Sequence, residues 1–220
     1  MTNSTRSPLL RFLRRAANPA RSGTAPDAHL LRRFTEAGDG EALAALVLRH
    51  GPMVFRLCRR VLGDGPDAED AFQAAFLVLL RKAGSLGRPE SLANWLYGVA
   101  YRTAVKTRAA TARRRVVESR AVCDREAGPD DGLVWRDLDL VLDREIQRLS
   151  DKYRAPFVLC HLEGRTSAEA ARLLRCPEGT VLSRLSRARA LLRDHLSRRG
   201  ISLGAGLVAV LASEAATFPL

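Results

Sequence analysis

Aromatic residues are scarce in this sequence, and patterns typical of β-strands are almost missing. Phe, Tyr and Trp together make up 5% of the 220 residues. Runs in which β-branched residues alternate with polar ones are nearly absent, which argues against a sheet. Apolar residues still make up 46% of the chain, enough to bury a core. Because Ala, Leu and Arg dominate and favour helices, we expect an all-α protein.

The chain also lacks the cysteine patterns of metal centres and of secreted, disulfide-rich proteins. Its four cysteines, Cys58, Cys123, Cys160 and Cys176, form no CxxC pair. The cluster of Cys160, His161 and Cys176 fits no familiar zinc spacing, so we expect no metal. The N-terminus lacks the long apolar run of a secretory signal. Reduced cysteines then indicate a cytoplasmic protein.

No apolar run is long enough to cross a membrane as a helix. In the apolar tail, residues 200–220, the uncharged core extends only from Ile201 to Ser213. A membrane-spanning helix needs about 20 residues. We expect the tail to pack on a partner or on the second domain, residues 134–199, with weak membrane association as the alternative.

Acidic residues are too few to balance the basic ones. The chain has 36 Lys and Arg against 24 Asp and Glu, a formal net charge of +12. Such a balance suggests a polyanionic partner, either nucleic acid or an anionic membrane surface. The alternative is a basic surface that is merely solvated.

Helix breakers and charges divide the chain into five segments. Residues 1–26 carry five arginines, three prolines and no acid, which is typical of a disordered basic arm. Helical periodicity runs through 27–115 and again through 134–199. Between them, residues 116–133 are polar and contain a Gly-Pro-Asp-Asp-Gly breaker, which indicates a flexible linker. We therefore expect two small helical domains, followed by the apolar tail 200–220.

Local signals place the helices of the first domain. Gly38 should end a short helix, and Asp39 should cap the next one. Gly51 and Pro52 should interrupt that second helix. Pro66 should begin a third helix with acids in its first turn, which suits the helix dipole. A loop then leads to a long helix.

A pair of short helices between residues 166 and 196 is the strongest local signal. Thr166, with Glu169 three residues later, has the pattern of a capping box. The segment 175–179 forms a tight turn, with Pro177 at a first helical position. Two helices joined by so short a turn cross steeply, as in a helix-turn-helix unit. An ordinary αα-hairpin is the alternative.

The second of these helices has an apolar stripe and an opposite polar face. At about 100° per residue, the stripe consists of Val181, Leu185, Ala188, Leu192 and Leu196. Small residues on the polar face would let the helix approach a major groove closely, and hydroxyls and arginines can bond phosphates or bases there. The DNA-contacting residues that we predict are Thr180, Ser183, Arg184, Ser186 and Arg187.

The long helix that closes the first domain combines aromatic and basic residues. Trp95 and Tyr101 are followed by Arg102, Lys106 and the basic run 113–115. This combination suits single-stranded nucleic acid, because bases stack on rings and phosphates meet cations. The alternative for Trp95 is a role as a core anchor.

Three motifs resemble those of small, two-domain sigma factors of the extracytoplasmic-function (ECF) type. The first, DAEDAFQAAFLVLLRKA, resembles the helix that binds core RNA polymerase. The second, ANWLYGVAYRTAVKTRAATARRR, resembles the helix that recognises and melts the −10 promoter element. The third, LSDKYRAPFVLCHLEGRTSAEAARLLRCPEGTVLSRLSRARALL, resembles the −35-binding domain. The resemblance covers about residues 30–116 and 134–199.

This resemblance implies a protein that directs core RNA polymerase to promoters without a cofactor. Core binding is implied for Asp67, Glu69, Asp70, Gln73 and Phe76. Contact with the −10 strand is implied for Leu86, Trp95, Tyr101, Arg102, Lys106, Arg113, Arg114 and Arg115. An anti-sigma protein is a further partner that such a resemblance raises. The chain departs from the usual family pattern at Arg102, at Leu182 and near Leu86.

Two other classes of function fit the sequence less well. A stand-alone helix-turn-helix regulator would normally dimerise, but no dimerisation helix is evident and the acidic helix at residue 67 would lack a role. An enzyme would need a nucleophile–base pair, a phosphate-cradling glycine loop or a metal cluster, and the sequence shows none of these patterns.

Overall fold

The computed structural model describes residues 25–87, 91–119 and 131–199, and the regular structure in these ranges is entirely helical. The expected all-α fold is confirmed. The described helices, in chain order, are α1 (Asp27–Ala37), α2 (Gly40–Leu62), α3 (Pro66–Lys82), α4 (Leu92–Ser119), α5 (Asp131–Arg148), α6 (Asp151–Phe157), α7 (Ser167–Leu174) and α8 (Glu178–Ser197). The predicted basic arm, except for its last two residues, and the tail 200–220 lie outside the described residues, as do the side chains of 115–119 and 131–138.

Helix α2 lies at the centre of the first domain, where it packs against α1, α3 and α4. Large apolar side chains from all four helices fill the core between them. Those that are almost fully buried include Leu30, Leu46, Leu57, Phe72, Leu79, Leu96 and Tyr97. The position of α3 and the first half of α4 is therefore fixed by their shared packing on α2.

The predicted helix ends of the first domain are confirmed at three points. Gly38 ends α1 in the left-handed conformation with φ 64°, which glycine adopts without a steric cost. The Asp39 carboxylate accepts backbone N–H bonds from Glu41 at 2.9 Å and Ala42 at 3.2 Å, and so caps α2. Pro66 is the first residue of α3.

The prediction that Gly51 and Pro52 interrupt the second helix is wrong, because α2 continues through both residues. Pro52 cannot donate the helical hydrogen bond to the carbonyl four residues earlier, at Leu48. Leu48 lies on the exposed side of the helix, where water can satisfy that carbonyl. The buried stripe resumes at once with Met53 and Val54, and this packing offsets the cost of the proline.

Two helices extend into the range 116–133, for which the sequence predicts a linker. Helix α4 ends at Ser119, and α5 begins at Asp131. Residues 120–130, which contain most of the polar stretch, lie outside the described part of the chain. The linker remains a prediction for this central segment.

The second domain packs α8 against α5, α6 and α7. All five residues of the predicted apolar stripe on α8 are buried: Val181, Leu185, Ala188, Leu192 and Leu196. Phe157, Val158, Leu159 and Leu162, from the end of α6 and the residues after it, are also buried and cover the inner face of this helix pair. The backbone becomes irregular just after Pro156, where residues Val158–Leu162 form a π-helical turn.

Candidate polymerase and promoter interfaces

A capping box opens the first helix of the helix-turn-helix unit, as predicted. The backbone N–H of Glu169 donates to the Thr166 hydroxyl at 3.2 Å, and the backbone N–H of Thr166 donates to the Glu169 carboxylate at 2.9 Å. The hydrogen bond from the Thr166 backbone, followed by that from its hydroxyl, lowers the pKa of Glu169 below its ordinary value. This cap fixes where α7 begins, and hence where the next turn lies.

Three residues form the turn between α7 and α8. Arg175 takes the left-handed conformation, with φ 51°, and so ends α7 as a C-cap residue does. Pro177 has an extended backbone, with ψ 146°, and precedes α8 as its N-cap residue. Its predicted place as the first helical residue is therefore wrong by one position. Its missing N–H costs nothing there, because the first N–H groups of a helix have no partner within it.

The outward face of α8 begins with small hydroxyl-bearing residues and has an arginine near its centre. Ser183, Ser186 and Arg187 are exposed, whereas Thr180 and Arg184 are half-buried. The Ser183 hydroxyl donates to the Thr180 carbonyl at 3.0 Å, so its oxygen remains able to accept a bond. The structure thus places all five predicted −35 residues along the first half of one helix.

Two residues beside this face have different surroundings. Arg189 donates to Nε2 of His161 at 3.2 Å, and this contact ties α8 to the π-helical turn. Burial, with the Arg189 charge as a second cause, lowers the pKa of His161. The neutral ring can therefore accept the bond. Leu182, in contrast, is 53% exposed on the first two turns of α8.

The predicted core-binding residues lie on α3 and are not equally accessible. Asp70 is exposed, whereas Asp67, Glu69 and Gln73 are half-buried. The Thr111 hydroxyl donates to Asp67 at 2.9 Å, a contact that joins α3 to α4. Asp67 therefore has a structural partner within the chain, and Asp70 is the acid that projects furthest towards solvent.

The prediction that Phe76 contacts polymerase is wrong, because its side chain belongs to the core. Phe76 is 3% exposed, and its ring centroid lies 5.1 Å from that of Phe72. The apolar side chains that α3 does expose are Leu77, at 54%, and Leu80, at 36%. The spacing of the buried residues 68, 71, 72, 75, 76 and 79 is a helical stripe. This stripe is visible in the sequence. It separates the buried Phe76 from the exposed Leu77 and Leu80.

The basic side chains predicted to hold the −10 strand project from α4 into solvent. Arg102, Lys106, Arg113 and Arg114 are exposed. Arg115 is on the same helix, but its side chain lies outside the described part of the structure. These basic side chains form a row of cations along an outer surface of the first domain.

The aromatic residues predicted to contact the −10 strand are less exposed than the basic residues. Trp95 and Tyr101 are half-buried and pack against the core, as does Leu86. Tyr97, one turn before Tyr101, is fully buried. Trp95 is therefore neither a wholly buried anchor nor a free stacking platform.

A cavity of about 680 Å³ lies between the start of α4 and the second domain. From the first domain it is lined by Leu86, Trp95 and Arg102. From the second domain it is lined by Arg154 of α6 and Arg184 of α8. The predicted −10 and −35 residues thus meet at one cavity, which no sequence pattern had indicated.

The walls of this cavity are held together by hydrogen bonds between the domains. Arg154 Nε donates to the Asn94 side-chain oxygen at 2.8 Å, and Asn94 is buried. A Cβ atom added at Gly98 would lie 3.2 Å from the Arg102 guanidinium and 3.7 Å from the Gln147 amide oxygen. Glycine at this position therefore leaves room for the Arg102 side chain against α4 and for α5 beside it.

A buried carboxylate of α5 makes a second connection to the first domain. Asp143 is 1% exposed and accepts two bonds from the Arg60 guanidinium, at 3.0 and 2.8 Å. It also accepts a bond from the Tyr97 hydroxyl at 2.7 Å. Burial, followed by the Asp143 charge, raises the pKa of Tyr97, so the phenol remains the donor.

His50 of α2 makes a third connection, between carboxylates of both domains. Its ring is 1% exposed, with Nε2 at 3.0 Å from Asp27 and Nδ1 at 2.5 Å from Glu163. Arg49 also donates to Asp27. Burial alone lowers the pKa of His50, but Glu163 and Asp27 outweigh that effect and raise it to about 10. The ring is therefore protonated at neutral pH and donates from both nitrogens.

Membrane spans and metal centres are two other kinds of site that the described residues can be compared with. None of the helices described is long and apolar enough to cross a membrane. Among the same residues, no group of three or more His, Cys, Asp and Glu side chains is arranged to hold a metal ion.

Two protein-family descriptions match this chain, in the order in which the domains occur. Residues 46–115 match "Sigma-70 region 2", and residues 139–192 match "Sigma-70, region 4". The ECF RNA polymerase sigma factor SigM of Mycobacterium tuberculosis (strain H37Rv) is 33% identical over 166 residues, which cover 76% of this chain and 82% of SigM. The chain belongs to the ECF RNA polymerase sigma factors.

A second sigma factor, SigW, is matched over most of its length. The ECF RNA polymerase sigma factor SigW of Bacillus subtilis (strain 168) is 29% identical over 171 residues, covering 72% of this sigma factor and 91% of SigW. The solved structure of CnrH in complex with the cytosolic domain of CnrY is 19% identical, with a TM-score of 0.41, and covers 79% of this chain and 99% of that one. The family consists of transcription initiation factors that are not catalysts.

Proposed function

We propose that this sigma factor reads a promoter with two surfaces and binds core RNA polymerase with a third. Helix α8 binds the −35 duplex, α4 holds the unpaired −10 strand, and α3 binds the polymerase. The observation that carries the proposal is the outward face of α8, with Arg187 exposed opposite a stripe of five buried residues. The domain bounds that go with these roles are 27–115 and 134–199.

Recognition of the −35 element follows from the geometry of α8. A helix fits into the major groove, where the edges of the base pairs are distinguishable. Ser183 and Ser186 are small enough to let the helix backbone approach the groove. Arg187 can then bond bases or phosphates, and the half-buried Arg184 can reach a phosphate at the edge.

Capture of the −10 strand follows from the cations and aromatics of α4. Extruding a base from the duplex costs a few kcal/mol in lost stacking, and contacts at Trp95, Tyr101 and Leu86 would offset that cost. Arg102, Lys106 and the basic run 113–115 would hold phosphates, so affinity should fall steeply with salt. The chain itself makes and breaks no bond, because binding free energy drives the melting.

Core polymerase would bind the exposed surface of α3. Asp70 provides charge, and the solvent-facing Leu77 and Leu80 provide apolar area. Exposed apolar side chains grouped on one helix are typical of a protein interface. An anti-sigma protein that competes with polymerase would have to cover the same surface. These partners place the protein in the cytoplasm.

Reconstitution with core polymerase tests this function directly. We expect the wild-type chain to bind core polymerase and to direct transcription from genomic fragments selected with the holoenzyme. Leu77→Arg should lower the affinity for core at least tenfold, because it puts a charge into an apolar contact. Leu48→Arg, at an exposed leucine of α2, is the matched control and should bind normally.

Two outcomes would contradict the proposal. Normal core binding by Leu77→Arg would show that α3 is not the contact surface. Tight binding of duplex DNA by the chain alone, with no affinity for core polymerase, would instead identify a stand-alone helix-turn-helix regulator.

A further inference from the structure

One fully buried carboxylate of the second domain faces the C-terminal end of α8. Glu145 of α5 is 0% exposed. It lies two residues after Asp143, which accepts hydrogen bonds from the first domain. Two residues correspond to about 200° around a helix, so Glu145 lies on nearly the opposite side of α5. On that side it meets His195 and Arg199.

Three basic side chains converge on the Glu145 carboxylate. Nη2 of Arg199 lies 2.9 Å from Oε1, and Nδ1 of His195 lies 3.1 Å from Oε2. His195 is in the last turn of α8, and Arg199 follows the end of that helix. Arg148, one turn further along α5, has Nη1 at 3.5 Å from Oε1. Glu145 therefore joins α5 to the end of α8 at two points.

These contacts lack the geometry of well-directed hydrogen bonds. Within the described residues, neither Glu145 oxygen nor Nδ1 of His195 has a hydrogen-bond partner of good geometry. Taking a carboxylate out of water is costly, and charged partners offset that cost only when the geometry is excellent. Apolar side chains in place of a buried ion pair often leave stability unchanged or raise it. Stability alone therefore does not explain a carboxylate at this position.

A buried carboxylate fixes the position of a helix more sharply than apolar packing does. The stripe of α8 that packs on the domain core consists of Val, Leu and Ala side chains. Apolar burial is non-directional, so a helix held by it alone can rotate or slide slightly with little loss of buried area. A carboxylate that meets both His195 and Arg199 is satisfied in one rotation and one axial position of α8.

The end of α8 that Glu145 holds is far from the end proposed to enter the major groove. Arg187 lies twelve residues before Arg199, or about 18 Å at 1.5 Å per residue. A rotation of about 10° about the held end would move Arg187 by roughly 3 Å. The contacts of a binding site must be held within roughly 0.5 Å and 10–20° of their productive geometry. A small misalignment at Glu145 is thus enough to disturb the contact of Arg187 with a base.

We propose that Glu145 is a positioning residue for −35 recognition. Through His195 and Arg199 it fixes the rotation and axial position of α8, so that Arg187 meets one set of bases. This role rests on the function proposed for α8 and goes beyond it, because Glu145 touches no DNA and lies on a different helix. Loss of the carboxylate should therefore weaken the discrimination of DNA sequence in a domain that is no less stable.

Glu145→Met tests this combination, because methionine is apolar and similar in size. Urea unfolding of the full chain should give a free energy of unfolding equal to or above that of wild type. The holoenzyme should bind a −35 duplex, taken from a selected genomic fragment, roughly threefold to tenfold more weakly, which is part of the discrimination that one base contact provides. Its affinity for a scrambled duplex should stay the same or rise, because the variant has one negative charge fewer. The ratio of the two affinities should fall.

Two variants with the same loss of charge separate positioning from electrostatics. Arg148→Met removes the partner that belongs to α5 itself, so it should leave the affinity ratio unchanged. Arg199→Met removes the partner at the end of α8 and should lower the ratio. Because Arg199 and Glu145 act through one contact, the double variant should lose little more than Glu145→Met alone. If Glu145→Met does not fold, Glu145→Gln, which keeps the shape of the side chain, replaces it and should also lower the ratio.

A distance measurement tests the position of α8 without DNA or polymerase. Spin labels at Ser183 of α8 and Lys152 of α6, both exposed, would be introduced through a non-canonical amino acid and read by pulsed electron resonance. In Glu145→Met the distribution of distances should broaden or shift by roughly 4 Å, the displacement that a 10° rotation produces at Ser183. Arg148→Met should give the wild-type distribution.

The outcomes distinguish the positioning role from the proposed function. A wild-type holoenzyme that binds the selected and scrambled duplexes equally would refute −35 recognition by α8. A wild type that discriminates, together with a Glu145→Met variant that discriminates as well, would overturn the positioning role alone. A loss of stability in step with the loss of affinity would also overturn it, because Glu145 would then be a structural residue. Unchanged spin-label distances in Glu145→Met would contradict it as well.

Discussion

The two surfaces assigned to promoter DNA differ in how far the folded chain leaves them accessible. On α8, Ser183, Ser186 and Arg187 are exposed along one face. On α4, Asn94 is buried beneath Arg154, and Trp95 is half-buried beside a cavity shared with the second domain. The first surface is open to solvent, whereas part of the second borders a cavity that it shares with the second domain.

This difference follows from where each helix finds its packing partners. The buried side of α8 packs against helices of its own domain, so the opposite side remains in solvent. Helix α4 packs on α2 and α3 and also contacts α6 and the turn after it. Because α4 contacts elements of both domains, the surface proposed to bind the −10 strand is only partly exposed.

The largest effect should come from removing the charge of His50, which lies between Asp27 and Glu163. The pKa of His50 is raised from 6.5 to about 10, so its stabilisation is complete below about pH 6.5 and is lost as the pH rises towards 10. We expect urea unfolding to show wild type losing stability, on the order of a few kcal/mol, between pH 7 and about 9.5. His50→Gln should lose much less over that range.

Other groups that titrate in this range are common to both proteins and cancel in the difference. Asp27 does not contribute, because its pKa is lowered from an ordinary value of 3.8, against burial, by its hydrogen bond and charge interaction with His50 and by Arg49. If the free energy of unfolding changed with pH in the same way for wild type and His50→Gln, the His50 ring would not be held as a cation between Asp27 and Glu163.

The next effect tests the accessible surface. Arg187→Ala should weaken binding to the −35 duplex by about 1–3 kcal/mol, the range for a good side-chain contact with a base. Core binding should not change, because Arg187 lies on α8 and the core surface lies on α3. Arg193→Ala, at an exposed arginine further along α8, is the matched control and should have a smaller effect. Equal promoter use by Arg187→Ala and wild type would refute the assigned face.

A variant on α4 tests the other promoter surface. Arg102→Ala should lower the affinity of the holoenzyme for the −10 strand by roughly threefold to tenfold, as expected for one lost phosphate contact. Arg32→Ala, at an exposed arginine of α1, controls for the loss of charge. Equal losses in the two variants would mean that Arg102 makes no specific contact with the strand.

The smallest effect concerns Leu182, the exposed apolar residue among the hydroxyls of α8. An apolar side chain in the major groove can contact the thymine methyl group. Replacing thymine with uracil at successive −35 positions should weaken wild-type binding at one position by roughly twofold to fivefold. Leu182→Ala should bind the two versions of that position equally. If wild type bound the thymine and uracil probes with equal affinity at every −35 position, this contact would be ruled out.

Patterns with a short period along the chain made much of each domain predictable. The stripe on α8, the cap at Asp39 and the capping box at Thr166 depend on residues within one or two helical turns. The helical stripe of α3 also predicts that Phe76 lies in the core, whereas its position in the motif suggests a contact with polymerase. Leu77 and Leu80 were missed for the same reason.

Contacts between distant residues had no signal in the sequence. His50 meets Glu163 across 113 residues, and Arg60 meets Asp143 across 83. The local sequence around a histidine or an aspartate on a helix does not indicate whether the side chain faces water or a second domain. The course of α2 through Pro52 is a similar case, because tertiary packing outweighed a strong local breaker.

The most direct test of this account compares the wild-type holoenzyme with the Arg187→Ala holoenzyme on two probes. The probes are a −10 single strand and a −35 duplex, each short enough to contact only the sigma factor. Arg187→Ala should weaken binding to the duplex by about 1–3 kcal/mol and leave the affinities for the strand and for core polymerase unchanged. An equal loss for both probes would contradict the account.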